Sequence, residues 1–169
     1  ALKRIGLISD THGAMNDRIL ANLSDCDEIW HAGDIGPGFV MEPLMKLATV
    51  RAVYGNIDSG ELRRQWPLDA RFEVEGVRVW MTHIAGRPGR YNPRVREGLK
   101  SHPVDVLVCG HSHICLVEYD RRLGHLHLNP GAAGWHGFHK IRTLLKFELD
   151  GGKILNMRVV EHGPRHTHS

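Results

Sequence analysis

Five short apolar runs in this chain each stop on residues that can ligate a metal ion. Lys3 to Ser9 leads into Asp10-Thr11-His12, Glu28 to Ala32 into Gly33-Asp34, and Val50 to Tyr54 into Gly55-Asn56-Ile57-Asp58. Val77 to Thr82 leads into His83, and Val104 to Cys109 into Gly110-His111-Ser112-His113. Short apolar runs rich in β-branched residues and closed by glycine read as buried strands. In extended backbone, residues i and i+2 project the same way, so His111 and His113 can face one target. In open α/β sheets the carboxyl ends of strands lie along one edge, where loops build the site. Asp10, His12, Asp34, Asn56, His83, His111 and His113 are therefore candidates for one ligand cluster.

The intervening segments set the fold class. Met15, Ile19, Leu20 and Leu23 recur at helical spacing, and Phe39 to Ala48 reads as a helix that Pro43 delays or kinks. Later, Arg71–Glu75 with Val77–Thr82, Leu116–Asp120 with His125–Leu128, and Thr143–Leu149 with Ile154–Val160 read as hairpins, and Arg94 to Lys100 as a helix. Early strand–helix alternation implies parallel pairing, so the class is α/β with mixed sheets. A chain of 169 residues is expected to form a single domain over 1–169 with a real core.

Charge and cysteine content narrow the partners. A net charge of +3 is too small to argue for nucleic-acid binding. The three cysteines, Cys26, Cys109 and Cys115, include no close pair of the kind that holds zinc. A reducing, cytoplasmic setting is the expectation, and no run approaches membrane-spanning length. Mixed carboxylate, amide and imidazole ligands without thiolate suit manganese, iron, nickel or zinc. Seven side chains are too many for one tetrahedral ion but suit two neighbouring ions sharing a carboxylate. Such a pair attracts phosphate oxygens and needs no serine or cysteine nucleophile.

Asp10-x-His12, Gly33-Asp34, Gly55-Asn56, His83 and Gly110-His111-x-His113, in this order, resemble the five motifs of calcineurin-like metallophosphoesterases. The compact size and the Gly-Asn-x-Asp variant are similar to the small bacterial and archaeal YfcE-like phosphodiesterases, and Asn129-Pro130-Gly131 extends the likeness. The resemblance implies a four-layer α-β-β-α sandwich of two facing mixed β-sheets. It assigns Asp10, His12, Asp34 and His113 to a first metal, and Asp34, Asn56, His83 and His111 to a second. Asp34 would bridge two divalent ions, manganese first among those named, and a bridging hydroxide would attack phosphorus in line. A phosphoester or nucleotide is the implied substrate. Small enzymes of the group are often oligomeric, so a homo-oligomer is an expectation that no sequence feature locates. The alternatives are a protein-interaction scaffold like the retromer subunit Vps29 and a nucleotide pyrophosphohydrolase.

Two departures from the family pattern stand out. Ile57 replaces the histidine that in many members protonates the leaving group or holds phosphate, and Ile84 replaces a glycine. His136 and His139, in a glycine- and aromatic-rich loop after the Asn-Pro-Gly turn, are candidates to supply the missing acid. Asp58 is read first as the start of a helix capping box with Glu61, with a role beside the metals as the other possibility. His31 is expected to be packed beside the site and Asn129 to form a turn and orient a loop. The basic stretch Arg87, Arg90, Arg94, Arg96 and Lys100 is either a substrate rim or a solvated face, with Tyr91 and Asn92 as weaker substrate contacts. His162, His166 and His168 are expected on an exposed tail.

Overall fold

The computed structural model describes residues 1–165. Among these residues ten strands form two sheets of five. The first sheet is built from β1 (Lys3–Ile8), β2 (Glu28–His31), β3 (Thr49–Ala52), β9 (Ile141–Asp150) and β10 (Lys153–Pro164), in the order β10-β9-β1-β2-β3. The second is built from β4 (Asp69–Val74), β5 (Val77–Thr82), β6 (Val106–Val108), β7 (Cys115–Asp120) and β8 (His125–Pro130), in the order β4-β5-β6-β8-β7. β1, β2 and β3 pair in parallel, as do β5, β6 and β8, while β9 runs antiparallel to β1.

Side-chain alternation explains the layering. Ile5, Leu7 and Trp30 face the second sheet and meet Val79, Met81, Val106 and Val108 in a shared core. Trp30 anchors it with edge-on contacts to Phe72 and Phe147, at centroid distances of 5.1 and 5.6 Å. Ile8 and Ile29 point the other way, onto the helices α1 (Asp17–Leu23), α2 (Met41–Leu47) and α3 (Gly60–Gln65). Across the molecule, Trp80, Leu107 and Cys109 pack under Val95 and Leu99 of α4 (Pro93–Ser101). The result is the expected α-β-β-α sandwich of two mixed sheets.

The three expected hairpins form. In β4–β5 and β9–β10 both turn residues, Glu75-Gly76 and Gly151-Gly152, take positive φ, the tight geometry matched to strand twist. Pro43 delays its helix as expected: a 3₁₀ turn at Gly38–Val40 precedes α2, and Pro43 lies in the first turn of α2, where a missing N–H is tolerated. One expectation fails outright. His162 lies within β10 and is only 2 % exposed, because β9 carries the strand on to Pro164. His166 and His168 lie outside the described residues. Among the described residues no helix is long and apolar enough to cross a membrane.

Candidate metal centre

All five motif loops leave the C-terminal ends of β1, β2, β3, β5 and β6, and the paired sheets bring those ends to one place. Asp10, His12 and His113 offer ligand atoms within 4.8 Å of one another, and so do Asp34, His83 and His111. Asp34 ties the groups together, its Oδ2 lying 3.4 Å from His12 Nε2 and 3.2 Å from His83 Nε2. Asp10 Oδ1 lies 3.2 Å from His113 Nε2, and Asn56 Oδ1 is 3.1 Å from His111 Nδ1. Ligands held about 2.0–2.2 Å from a borderline dication sit roughly 3–3.5 Å from one another, so these spacings fit shared ions.

Two further observations mark the cluster as a candidate functional site. Asp10 Oδ1, His12 Nε2 and His83 Nε2 are buried without a hydrogen-bond partner. Five of the candidate ligands, Asp10, His12, Asp34, His111 and His113, hold φ between 47° and 71°. That left-handed region is sparsely used by non-glycine residues and concentrates at functional sites.

The surrounding groups fix the ligand forms. His83 Nδ1 donates to the Ala32 carbonyl at 2.7 Å, which turns the Nε2 lone pair into the cluster. Asp10 Oδ2 accepts from Ser9 Oγ at 2.7 Å and from the His111 amide at 3.0 Å, leaving Oδ1 free. Asp34 Oδ1 accepts from the Ile57 amide at 3.1 Å. Close approach demands glycine twice: a Cβ on Gly55 would strike Asp34, and one on Gly110 would strike Ser9.

Charge follows the same logic. Burial alone would raise the Asp10 and Asp34 carboxyls, but the neighbouring imidazoles win and hold both well below the usual carboxylate range. Burial alone would lower His12, yet the two carboxylates raise it to about 9. Burial opposes the upward shift of His83 too, and Asp34 and Asp10 overcome it. The two buried carboxylates therefore favour positive charge beside them.

Several expected residues take other roles. Asp58 does not cap a helix: Ser59 holds the N-cap of α3, without a side-chain cap bond. Instead the buried Asp58 carboxylate accepts from the amides of Ile35, Gly36 and Gly55 at 2.8–3.1 Å, clamping the Asp34 and Asn56 loops together. His31 is buried as expected. Its Nδ1 accepts from the Gly33 amide, so Nε2 donates to Thr11 Oγ1, whose proton goes to the Ile35 carbonyl. Burial lowers its pKa to about 4. Asn129 ends β8 and donates to the Gly110 carbonyl and Ser112 Oγ, both at 3.1 Å, bracing the His111–His113 loop. Tyr91 is turned inward, its hydroxyl between His125 Nε2 and His127 Nδ1, and Asn92 caps α4. Of the basic stretch, Arg94 pairs with Asp69 and Arg96 and Lys100 are solvated, while Arg87 and Arg90 line a cavity beside the cluster.

His136 and His139 do reach the site. The exposed His136 ring stacks on His12 at 4.7 Å, and His139 meets His113 edge-on at 5.1 Å. The His139 Nε2 proton is committed to the Gly134 carbonyl at 2.7 Å. Sequence reasoning missed Ser9, Thr11 and Ser112, which orient ligands and loops. Lone hydroxyls beside a motif carry no distinguishing pattern.

Comparison with known proteins agrees with this geometry. Residues 4–152 match the calcineurin-like phosphoesterase superfamily domain. A probable metallophosphoesterase from Methanocaldococcus jannaschii is 33% identical over 138 residues, covering 76% of this chain and 67% of the relative. The structure of Entamoeba histolytica Vps29 complexed with Zn²⁺ superposes with a TM-score of 0.73 at 16% identity, over 95% of this chain and 99% of that one. A novel archaeal phosphodiesterase gives a TM-score of 0.70 at 24% identity, over 94% and 99%. With the motif loops converging on one cluster and the family domain spanning nearly the whole chain, the protein belongs to the calcineurin-like phosphoesterase superfamily.

Proposed function

We propose that the protein is a phosphodiesterase that uses two divalent metal ions. Asp10, His12, Asp34 and His113 would hold one ion, and Asp34, Asn56, His83 and His111 the other. The observation that carries this reading is the pair of ligand groups joined through Asp34 Oδ2, with three buried ligand atoms left unpaired. Manganese is the first candidate, and the donor set also suits iron, nickel and zinc. When bound, the ions supply Lewis acidity toward phosphoryl oxygens and activation of water.

The chain's own residues do the rest. Two carboxylates neutralise only half the charge of two dications, and the neutral Asn56 amide preserves the surplus that draws in a phosphoester. Ile57 cannot deliver a proton to the leaving oxygen. The exposed His136 ring is placed to do so, whereas His139 has its proton engaged and serves to pack His113. The three cysteines are free, two of them buried, in keeping with a reducing cytoplasmic setting.

The test is hydrolysis of bis-p-nitrophenyl phosphate by metal-stripped protein and by the same sample reloaded with manganese. Turnover that returns on reloading and stays near background in His83→Ala supports the reading. A Vps29-like scaffold is the alternative, favoured by the apolar Ile57, Ile84, Ile114 and Phe138 exposed around the mouth. Two bound ions without turnover on diester, monoester or nucleotide pyrophosphate substrates would support it instead.

A further inference from the structure

Both departures from the family motifs are isoleucines, and both are exposed at the mouth of the metal cluster: Ile57 by 48 % and Ile84 by 41 %. Ile84 opens onto a cavity of about 420 Å³ that His111 also lines, so the cavity is continuous with the cluster. Small-molecule sites span roughly 300–1,000 Å³, which makes this one large enough for a ring-sized group.

The lining chemistry is one-sided. Ile84, Ile114 and Leu116 form an apolar wall. Polar groups at the floor are already satisfied: His127 by Tyr91 and Cys109, and Asn129 by Gly110, Ser112 and Gly131. A polar substituent entering here would lose its water and find few partners. The exceptions are Ser112 at the His111 edge, whose hydroxyl accepts two bonds and is seen to donate none among the described residues, and the pair Arg87 and Arg90. The two arginines border the same cavity, are exposed, and their guanidinium groups make no ion pair or hydrogen bond among the described residues. An unpaired guanidinium beside an apolar wall suits an aromatic face, which it can cover from above.

We propose that this cavity receives one ester group of the substrate, and that the group carries an aromatic ring of aryl or nucleobase type. The proposal rests on the phosphoester reading above and adds the substrate class. With the phosphoryl group at the ions that the ligand cluster would hold, the ring would lie beside His111 against Ile84, Ile114 and Leu116. Replacing the family's glycine with Ile84 supplies part of that wall, so the preference belongs to this chain rather than to the motif set.

Binding of phosphonates, whose single P–C bond resists hydrolysis, tests the subsite without relying on turnover. Phenylphosphonate and methylphosphonate would be titrated calorimetrically into the manganese-loaded protein. The phenyl compound is expected to bind at least about tenfold more tightly, since only its ring can bury apolar area in the cavity. Leu116→Asn and Ile84→Asn should remove most of that advantage while methylphosphonate affinity holds. Arg87→Ala should remove a smaller part. Equal affinities in the parent protein, or variants that weaken both probes alike, would overturn the subsite. If bis-p-nitrophenyl phosphate is still turned over, that result leaves the phosphodiesterase reading standing. Loss of metal-dependent turnover would instead remove the reading on which the subsite rests.

Discussion

Asp58 holds three backbone amides from two loops that carry Asp34 and Asn56, and no other acceptor replaces it. Removing it orphans buried donors that each cost about 1–3 kcal/mol. Asp58→Ala should therefore lower stability by roughly 3 kcal/mol or more and weaken metal binding about 10–100-fold, as loss of a ligand-orienting partner does. Urea unfolding and metal titration check the two effects. His136 acts at the same scale but on chemistry. His136→Ala should slow poor leaving groups more than good ones across a series of aryl diesters, and equal losses across the series would remove it as proton donor. The seven candidate ligands were legible in the sequence because each ends an apolar run. The first reading of Asp58, as a cap, failed because Asp58-Ser59-Gly60-Glu61 matches a capping pattern, and local pattern cannot show that the carboxylate also takes the distant amides of Ile35 and Gly36. His162 was misplaced for a similar reason, since polar composition near the end of the chain hides a strand held by its neighbour.

At the scale of elements, the strands and hairpins followed from apolar runs broken at Gly76, at Asp150-Gly151-Gly152 and, in three of the five motifs, at Gly33, Gly55 and Gly110. The helix α3, six residues led by glycine and rich in charge, left no periodicity to read. Parallel neighbours could be inferred from strand–helix alternation. The pairing of β9 with β1, across most of the chain, could not, because it depends on long-range closure. Element ends also carry function. Asn129, at the end of β8, braces the loop after β6, where His111 and His113 both hold positive φ. Asn129→Ala should leave the sheet intact by circular dichroism yet lower metal affinity about 10–100-fold, because the loop loses its bond to Gly110 and its hold on Ser112. Unchanged metal affinity would show that the loop holds its shape unaided.

For the whole molecule, buried histidines link folding to pH. Burial, then repulsion from His125, lowers His127 to about 4; burial, then Arg142 and Arg18, lowers His162 to about 4. Between about pH 4 and 6.5 the unfolded chain binds protons at these sites that the folded chain refuses. Stability therefore falls as pH drops from about 6.5 to 4, with each histidine adding up to about 1.4 kcal/mol per pH unit. Urea midpoints of the metal-free protein should decline over that window, and His127→Gln should flatten the decline. His12 runs the opposite way in a separate window: its folded pKa is raised to about 9, so its contribution is complete below about 6.5 and lost as pH rises through 9. In the function proposed for the molecule, the two facing sheets assemble a site for two ions acting together on a phosphodiester. Titrating manganese into the stripped protein while following both bound metal and bis-p-nitrophenyl phosphate hydrolysis tests it most directly. Two ions should bind per chain, with turnover appearing as the second is taken up. Full turnover with a single bound ion, or two bound ions with no turnover, would contradict it.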